Sequence, residues 1–178
     1  NKFGIDFEFI LDAYERASSL PHLKLKGLQM HIGSQLTSVS PFVEAVEKVT
    51  PLAADLKNKY DIEFFSIGGG IGIVYEEALA SGSESWWTKQ PDETRPLTPE
   101  QYSSAIIPSL APLGLKILLE PGRFIAGNAG VLVTKCLYEK KGSTKTFKIV
   151  DSGMHHLIRP ALYEGFHEIV PVAEPKGA

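Results

Sequence analysis

The sequence predicts an α/β fold with a parallel sheet that leads into a β-rich segment. Predicted helices and strands alternate as far as Arg123, which is typical of right-handed β/α units. Three of the predicted strands end in a polar or glycine-rich group. The carboxyl ends of strands are where open α/β sheets and (β/α) barrels place their chemistry. After Arg123 the helical periodicity stops and β-prone runs follow, which indicates a second domain.

The first unit is a helix followed by a strand. Asp6 is expected to cap a helix that ends before Pro21. The apolar positions of this helix recur with the spacing of one helix face: Phe7, Ile10, Leu11, Tyr14 and Ala17. The strand that follows runs over residues 27–30 and ends in His31-Ile32-Gly33-Ser34.

The second unit begins with a helix at Ser40-Pro41. The apolar residues on its buried face are Phe42, Val46, Val49, Ala53 and Leu56. Pro51 lies inside this helix and is expected to kink or divide it, because proline removes a backbone donor. The strand over residues 62–67 then ends in Gly68, Gly69 and Gly70.

The third unit is preceded by a segment, residues 76–96, that is predicted to be an irregular surface excursion. Trp86 and Trp87 indicate that part of this segment packs down. Thr98-Pro99-Glu100-Gln101 predicts a capped helix start, because a Thr cap is followed by Pro and, three positions on, by Gln. The helix reaches about Leu110, and the strand over residues 115–119 ends in Glu120-Pro121-Gly122-Arg123.

Beyond the third unit the sequence becomes β-rich. A β-prone run covers residues 130–140, and a second strand is predicted over residues 146–150. We therefore expect one domain over residues 1–126 and the start of a β domain over residues 127–178. Three strands are fewer than half of an eight-stranded barrel, so the pattern alone fits either part of a barrel or a smaller open sheet.

Composition and charge exclude several classes of function. The chain has 178 residues, of which 43% are hydrophobic and 22% charged, as in ordinary globular domains. A formal net charge of −3 gives no electrostatic basis for binding nucleic acid or an anionic membrane, and no apolar run has membrane-spanning length. The single cysteine, Cys136, precludes an internal disulfide and is expected to be a small buried residue of a strand. No His, Cys or Asp spacing indicates a metal site.

The triple glycine is interpreted as an anion-binding segment. Consecutive glycines let a backbone approach a ligand closely and turn several N–H groups toward one point. A tight strand-to-helix turn is the alternative interpretation. Because the spacing differs from G-x-G-x-x-G, the sequence favours a phosphate that is not part of a dinucleotide.

Glu120 and His31 are candidate functional side chains at the strand ends. A carboxylate directly after an apolar strand is expected to be buried, so Glu120 needs a cationic or protonated partner. That partner is either Arg123 or a protonated ring nitrogen of a ligand. In the second case Arg123 is left for an anionic group of a substrate. His31 is either such a functional residue or a histidine of the core.

Six motifs occur in a recognisable order along nearly the whole chain. They are Lys2-Phe3-Gly4-Ile5, His31-Ile32-Gly33-Ser34-Gln35, Gly68-Gly69-Gly70, Glu120-Pro121-Gly122-Arg123, Asp151-x-Gly153-Met154 and Arg159-Pro160-Ala161-Leu162-Tyr163. In this order and spacing the sequence resembles the fold-type III pyridoxal-phosphate decarboxylases. The last motif points to their diaminopimelate branch.

The resemblance implies a fold and a cofactor. The fold is the C-terminal part of a (β/α)8 TIM barrel of the alanine-racemase-like type, leading into a β-rich domain. The cofactor is pyridoxal 5'-phosphate, with His31 stacked on its ring and Glu120 paired with its ring nitrogen as the two catalytic residues. The full set of implied cofactor contacts is His31, Ser34, Gly68, Gly69, Gly70, Glu120, Pro121, Gly122 and Arg123. Arg123, Arg159 and Tyr163 are implied to bind the substrate.

The implied reaction is the decarboxylation of meso-2,6-diaminopimelate to L-lysine, a step of lysine biosynthesis, with the cofactor as electron sink. One alternative is a decarboxylase of the same fold that acts on ornithine, arginine or lysine. A second alternative is a non-catalytic barrel protein that only binds the cofactor. The β segments after Arg123 argue against this carrier, which lacks a second domain.

The resemblance also implies parts that are absent from these 178 residues. The family's cofactor-binding lysine lies upstream, and a Cys-Glu-Ser motif lies downstream; Cys136 is in different surroundings. We therefore expect the chain to be an internal piece of a longer enzyme and to be inactive alone. The whole enzyme is expected to be a homodimer with its active site at the subunit interface, in the cytoplasm or in a plant plastid.

Overall fold

The computed structural model describes residues 3–91 and 95–173, so Lys2 of the first motif lies outside the described residues. The chain divides into two compact units. One comprises Asn1–Ile73 with Pro91–Gly127, and the other comprises Val74–Gln90 with Asn128–Ala178. The assignment of residues 127–178 to the start of a β domain stays a prediction.

The first unit is built on a parallel sheet of three strands in the order β1-β2-β3. The strands are β1 (Gly27–Gln29), β2 (Phe64–Ser66) and β3 (Lys116–Leu118). In the register of the sheet, Gln29 lies beside Ser66, and Ser66 lies beside Leu118. The predicted α/β fold with parallel strands is confirmed.

The helices alternate with these strands as predicted. The first unit contains α1 (Ile10–Ser18), α2 (Ser40–Tyr60), α4 (Pro99–Leu110) and α5 (Gly122–Ala126), whereas α3 (Glu84–Lys89) belongs to the second unit. A 3₁₀ turn, Phe7–Phe9, precedes α1, and its first backbone bond runs from Phe9 N–H to the Asp6 carbonyl. The Asp6 side chain makes no capping bond, so the predicted cap is wrong.

The core lies between the sheet and the helices α2 and α4. The Phe42 and Tyr102 rings meet edge to face, with centroids 4.9 Å apart, and join the two helices. Phe65, at the centre of the middle strand, is fully buried. The remaining buried apolar side chains are Leu28, Val46, Leu52, Ala53, Leu56, Ile62, Ile67, Ile71, Leu97, Ile106, Leu110 and Leu113.

Two helix predictions had different outcomes. The capping box of α4 is confirmed: Gln101 N–H donates to Thr98 Oγ1 (3.2 Å), and Thr98 N–H donates to Gln101 Oε1 (3.0 Å). Of the two outcomes predicted for Pro51, the division is wrong, because α2 continues through it, and the kink stays a prediction. Leu52 and Ala53 directly after the proline are buried, so packing on the core offsets the lost backbone bond.

The second unit contains a hairpin and two short helices. Strand β4 (Cys136–Lys141) pairs antiparallel with β5 (Thr146–Val150), and α6 (Arg159–Tyr163) follows. The expectation that Cys136 is buried is wrong. Every residue of β4 is exposed, because a two-stranded ribbon leaves both faces uncovered within the described part of this unit.

The predicted surface excursion is partly helical. It contains a 3₁₀ turn, Ala80–Gly82, and α3, while residues 92–94 lie outside the described residues. The two tryptophans are half-buried and bond within this segment: Trp86 Nε1 donates to Glu77 Oε2 (2.6 Å), and Trp87 Nε1 donates to the Ser81 carbonyl (2.9 Å). The packing of the segment onto other elements stays a prediction. None of the helices described here combines the length and apolar character needed to cross a bilayer.

Candidate functional site

The carboxylate of Glu120 joins the ends of all three parallel strands. Its Oε1 accepts a hydrogen bond from Ser66 Oγ at 2.5 Å and another from Gln29 Nε2 at 2.8 Å. Ser66 is the last residue of β2, and Gln29 is the last residue of β1. A site predicted at these strand ends is therefore centred on one acceptor oxygen.

The strand register explains why these three side chains meet. Gln29 and Ser66 are register neighbours in the parallel sheet, so their side chains point to the same face. Ser66 also neighbours Leu118, and Glu120 lies two residues beyond Leu118. Because side chains alternate along a strand, Glu120 projects from the same face as Leu118.

Sequence reasoning missed Gln29 and Ser66 as site residues. A weak signal was present, since each is a polar residue at the end of an otherwise apolar strand. The expectation that Glu120 is buried is wrong, because its side chain is exposed beside β3, an edge strand of the sheet as described. Ser66 is the buried member of the group, with 3% of its surface exposed.

The triple glycine allows the strand ends to approach each other. A Cβ on Gly69 would overlap the carbonyl oxygen of Glu120, and a Cβ on Gly70 would lie 2.6 Å from the Gly33 carbonyl oxygen. Gly68 has a φ of +73°, a conformation that side chains disfavour. The glycines are thus required by the close contact of three backbones as well as by any ligand.

The N–H groups of this segment have different partners. Gly68 N–H donates to Ser66 Oγ at 3.3 Å, and Gly69 N–H makes a long bond of 3.4 Å to His31 Nδ1. Among the described residues, Gly70 N–H has no protein acceptor. Gly122 N–H donates to the Glu120 carbonyl at 2.8 Å. His31 accepts through Nδ1, so its Nε2 carries the proton in the neutral ring.

Gln35 links the segments that follow the same three strands. Its Nε2 donates to the Ile73 carbonyl at 2.7 Å, and its Oε1 accepts from Ile73 N–H at 3.3 Å. The same Oε1 accepts from Arg123 Nη1 at 3.3 Å. This contact places the Arg123 guanidinium at the site edge formed by β1, β2 and β3.

The two remaining motifs lie in the second unit. The Arg159 guanidinium lies 4.4 Å from the centroid of the Tyr75 ring, and its Nη1 donates to the Phe166 carbonyl at 3.4 Å. Tyr163 is four residues further along α6, so it lies on the same helix face as Arg159. Its side chain is exposed.

Asp151 begins the other motif of this unit and joins the end of β5 to the residues before β4. Its Oδ1 accepts from Thr134 Oγ1 at 2.6 Å and from Lys135 N–H at 2.9 Å. The Thr134 hydroxyl and then the Lys135 N–H lower the pKa of Asp151 below its usual value. Its observed role is to tie β5 to the segment that precedes β4.

The first unit has the chemical groups that an aromatic phosphate such as pyridoxal phosphate requires. The carboxylate of Glu120 suits a protonated ring nitrogen, and the His31 imidazole suits a ring face. The glycine-lined backbone forms a cradle that side chains would fill. Gly70 N–H, the exposed Ser34 hydroxyl and Arg123 supply donors for a phosphate. The residues present therefore fit this cofactor.

Comparisons with known proteins agree with this fit. Residues 1–127 match the family model of the pyridoxal-binding domain of pyridoxal-dependent decarboxylases. Over 97% of its length the chain is 41% identical to diaminopimelate decarboxylase of Aquifex aeolicus, and over 99% it is 39% identical to that of Vibrio cholerae. It spans only 38% and 39% of those two proteins.

A solved structure shows the same relationship. The structure of Helicobacter pylori diaminopimelate decarboxylase complexed with L-lysine superposes with a TM-score of 0.82 at 35% identity. The superposition covers 99% of this chain and 40% of that one. Since the family model covers most of the 178 residues, the chain belongs to the pyridoxal-dependent decarboxylases, and residues 1–127 are part of their pyridoxal-binding barrel domain.

Proposed function

We propose that the protein containing this chain decarboxylates meso-2,6-diaminopimelate to L-lysine. The observation that carries the proposal is the 41% identity, over 97% of the chain, to a relative named for that activity. The group of Glu120, Ser66 and Gln29, called here the Glu120 cluster, supports it. A carboxylate held where three strands end suits a protonated pyridine ring. Pyridoxal phosphate, when bound, supplies the electron sink for the loss of CO2.

In this proposal Glu120 and His31 are the catalytic residues. Glu120 Oε2 would accept a hydrogen bond from the protonated ring nitrogen, while Oε1 stays with Ser66 and Gln29. A carboxylate beside that nitrogen favours its protonated form. The His31 imidazole would cover one face of the ring and is held by its contact with Gly69.

The phosphate is assigned to the glycine cradle. Ser34 Oγ and Gly70 N–H would donate to it directly, and Arg123 would provide the positive charge. Gly68 and Gly69 shape the cradle with their backbone, while their N–H groups stay bonded to Ser66 and His31. Pro121 and Gly122 turn the chain so that α5 begins next to the site.

Substrate binding is assigned to Arg123, Arg159 and Tyr163. The guanidinium groups suit the carboxylates of an amino acid, and the Tyr163 hydroxyl suits a polar group at the far end of the substrate. Tyr75 holds the plane of the Arg159 guanidinium by stacking against it. These roles rest on the match of the motifs to the family.

We further propose that the enzyme is a cytoplasmic homodimer with its active site at the subunit interface. Large apolar side chains are strongly exposed in the second unit, among them Val131, Ile169 and Val172 at 86%, 94% and 87%. Such exposure favours a surface covered by further protein, either the rest of the same polypeptide, of which these residues span only part, or a second subunit. Size-exclusion chromatography with light scattering tests the dimer.

A substrate panel tests the reaction and its alternatives. The holoenzyme is supplied with meso-diaminopimelate, L-ornithine, L-arginine and L-lysine, and CO2 release is measured for each. The proposal expects kcat/KM to be highest for diaminopimelate. A preference for ornithine, arginine or lysine would assign the enzyme to another branch of the family. If none of the four substrates released CO2, the result would favour a non-catalytic protein that only binds the cofactor.

Glu120→Gln tests the catalytic assignment. The amide oxygen still accepts from Ser66 and Gln29, so the cluster is expected to stay folded and the cofactor absorbance to persist. The amide NH2 that replaces Oε2 is a donor and cannot accept a hydrogen bond from the protonated ring nitrogen. Decarboxylation should therefore fall by at least tenfold, as for a lost charged hydrogen bond of about 1.5–3 kcal/mol. Turnover near that of the unaltered enzyme would contradict the role of Glu120.

A further inference from the structure

We propose that Ser66 and Gln29 are positioning residues that hold one oxygen of Glu120, so that the other oxygen is presented to the ring nitrogen of the cofactor. The pair acts through Glu120 and need not contact the cofactor. The inference rests on the proposed function, because it takes Glu120 as the partner of that nitrogen. It adds two residues to which the family motifs assign no role.

The hydroxyl of Ser66 has a defined direction. Gly68 N–H donates to Ser66 Oγ, so this contact uses a lone pair of the hydroxyl. The single hydroxyl proton is then free to point to Glu120 Oε1, 2.5 Å away. Since Ser66 is buried, water does not compete for this proton. The Ser66 hydroxyl therefore accepts from Gly68 and donates to Glu120.

Gln29 makes the second bond to the same oxygen. Its Nε2 donates at 2.8 Å from the strand on the far side of β2. Two donors on different strands restrict rotation about both the Cβ–Cγ and the Cγ–Cδ bonds of Glu120. A single donor would leave one of these rotations free. Within the described residues, no hydrogen bond reaches Oε2 of Glu120. That oxygen is left to accept from a ligand.

Both donors are neutral, and this property matters for the role. A hydrogen bond to a carboxylate stabilises its charged form. An amide and a hydroxyl do so without supplying a positive charge of their own. Glu120 is thus oriented while its negative charge remains available to a protonated nitrogen. A lysine or arginine in either position would offset that charge.

The test measures the proton on the ring nitrogen rather than the reaction. The holoenzyme is reconstituted with pyridoxal phosphate labelled with ¹⁵N in the ring, and the ring ¹⁵N chemical shift is followed against pH. The variants are Ser66→Ala, Gln29→Met and the double variant, with Glu120→Gln as the reference for a lost carboxylate. Ser66→Thr keeps a hydroxyl, and Ser103→Ala removes one whose bond to Glu100 stays within α4.

Each lost donor is expected to lower the pH at which the ring nitrogen loses its proton by about one unit. The double variant should approach Glu120→Gln, Ser66→Thr should restore the original shift, and Ser103→Ala should not change it. Gln29 is exposed, so Gln29→Met is expected to fold even where Ser66→Ala does not.

Two failures are distinguishable. If Glu120→Gln leaves the ring ¹⁵N shift unchanged, the assignment of Glu120 to the nitrogen is wrong, and the catalytic role given to Glu120 in the proposed function is overturned. If Glu120→Gln removes the protonated signal but Gln29→Met and the double variant keep it, Glu120 acts alone and the positioning role is overturned. A loss of thermal stability in Ser66→Ala with an unchanged shift would also show a purely structural role.

Discussion

Replacing Gly69 with alanine is expected to damage the site through the backbone alone. The added Cβ would overlap the Glu120 carbonyl oxygen and lie 3.0 Å from its carbonyl carbon. Both are main-chain atoms, so no side-chain rotation relieves the contact. Gly69 has no positive φ, so the alanine is not strained by its own conformation. The ends of β2 and β3 must separate by about 1 Å to restore ordinary packing distances.

That displacement has two measurable consequences. The free energy of unfolding should fall by about 1–3 kcal/mol, as for an overfilled interior. The shift also moves Glu120 relative to its two donors, and a misplacement of about 1 Å can cost roughly a hundredfold in kcat.

The assay compares Gly69→Ala with Gly130→Ala in the holoenzyme, because a Cβ on Gly130 meets no atom within 4 Å. Denaturant unfolding and steady-state kinetics are measured for both variants. Gly130→Ala should behave as the unaltered protein. If Gly69→Ala kept the original kcat and unfolding midpoint, the close approach of these strand ends would not be a constraint.

Three further outcomes are expected. Arg159→Ala should lower kcat/KM by about ten- to a hundredfold while the cofactor stays bound, because a charged hydrogen bond to substrate contributes about 1.5–3 kcal/mol; loss of the cofactor absorbance would place this residue elsewhere. Leu56→Ala should cost about 2–5 kcal/mol of unfolding free energy, since Leu56 is fully buried, whereas Leu79→Ala should cost less than about 0.5 kcal/mol; equal costs would contradict the described core. Burial raises the pKa of Tyr102 to about 12. In the unfolded chain a tyrosine titrates near pH 10. The stability that the buried, neutral Tyr102 contributes is therefore complete below about pH 10, and it is lost as the pH rises toward 12 because only the unfolded chain gives up the phenol proton. Tyr102→Phe should remove that part of the alkaline fall in denaturation midpoint, and an unchanged profile would argue against its burial.

Local sequence patterns predicted the elements whose causes are local. The capping box at Thr98 depends on residues within one helical turn, so its sequence pattern was sufficient. The three strands depend on short apolar runs that end in polar residues, and all three were found. Pro51 shows the limit of this reasoning, because the burial of neighbouring Leu52 and Ala53 decided that α2 stays continuous.

The site was predicted in part for the same reason. Glu120 and the triple glycine have recognisable motifs, whereas Gln29 and Ser66 acquire a role only through the strand register. Register depends on pairing between distant segments and leaves no motif in either one. The burial of Cys136 was mispredicted because the strand pattern does not tell whether another layer covers the hairpin.

The Glu120 cluster also constrains the order of folding. Gln29 and Ser66 precede Glu120 by 91 and 54 residues, so neither hydrogen bond can form until β3 has joined the sheet. Contacts between such distant segments form slowly, because the intervening chain must first be ordered. The cluster is therefore among the last features of the unit to be completed. In a refolding experiment, capture of the cofactor should lag behind the helical signal of α2 and α4 and report the arrival of the third strand.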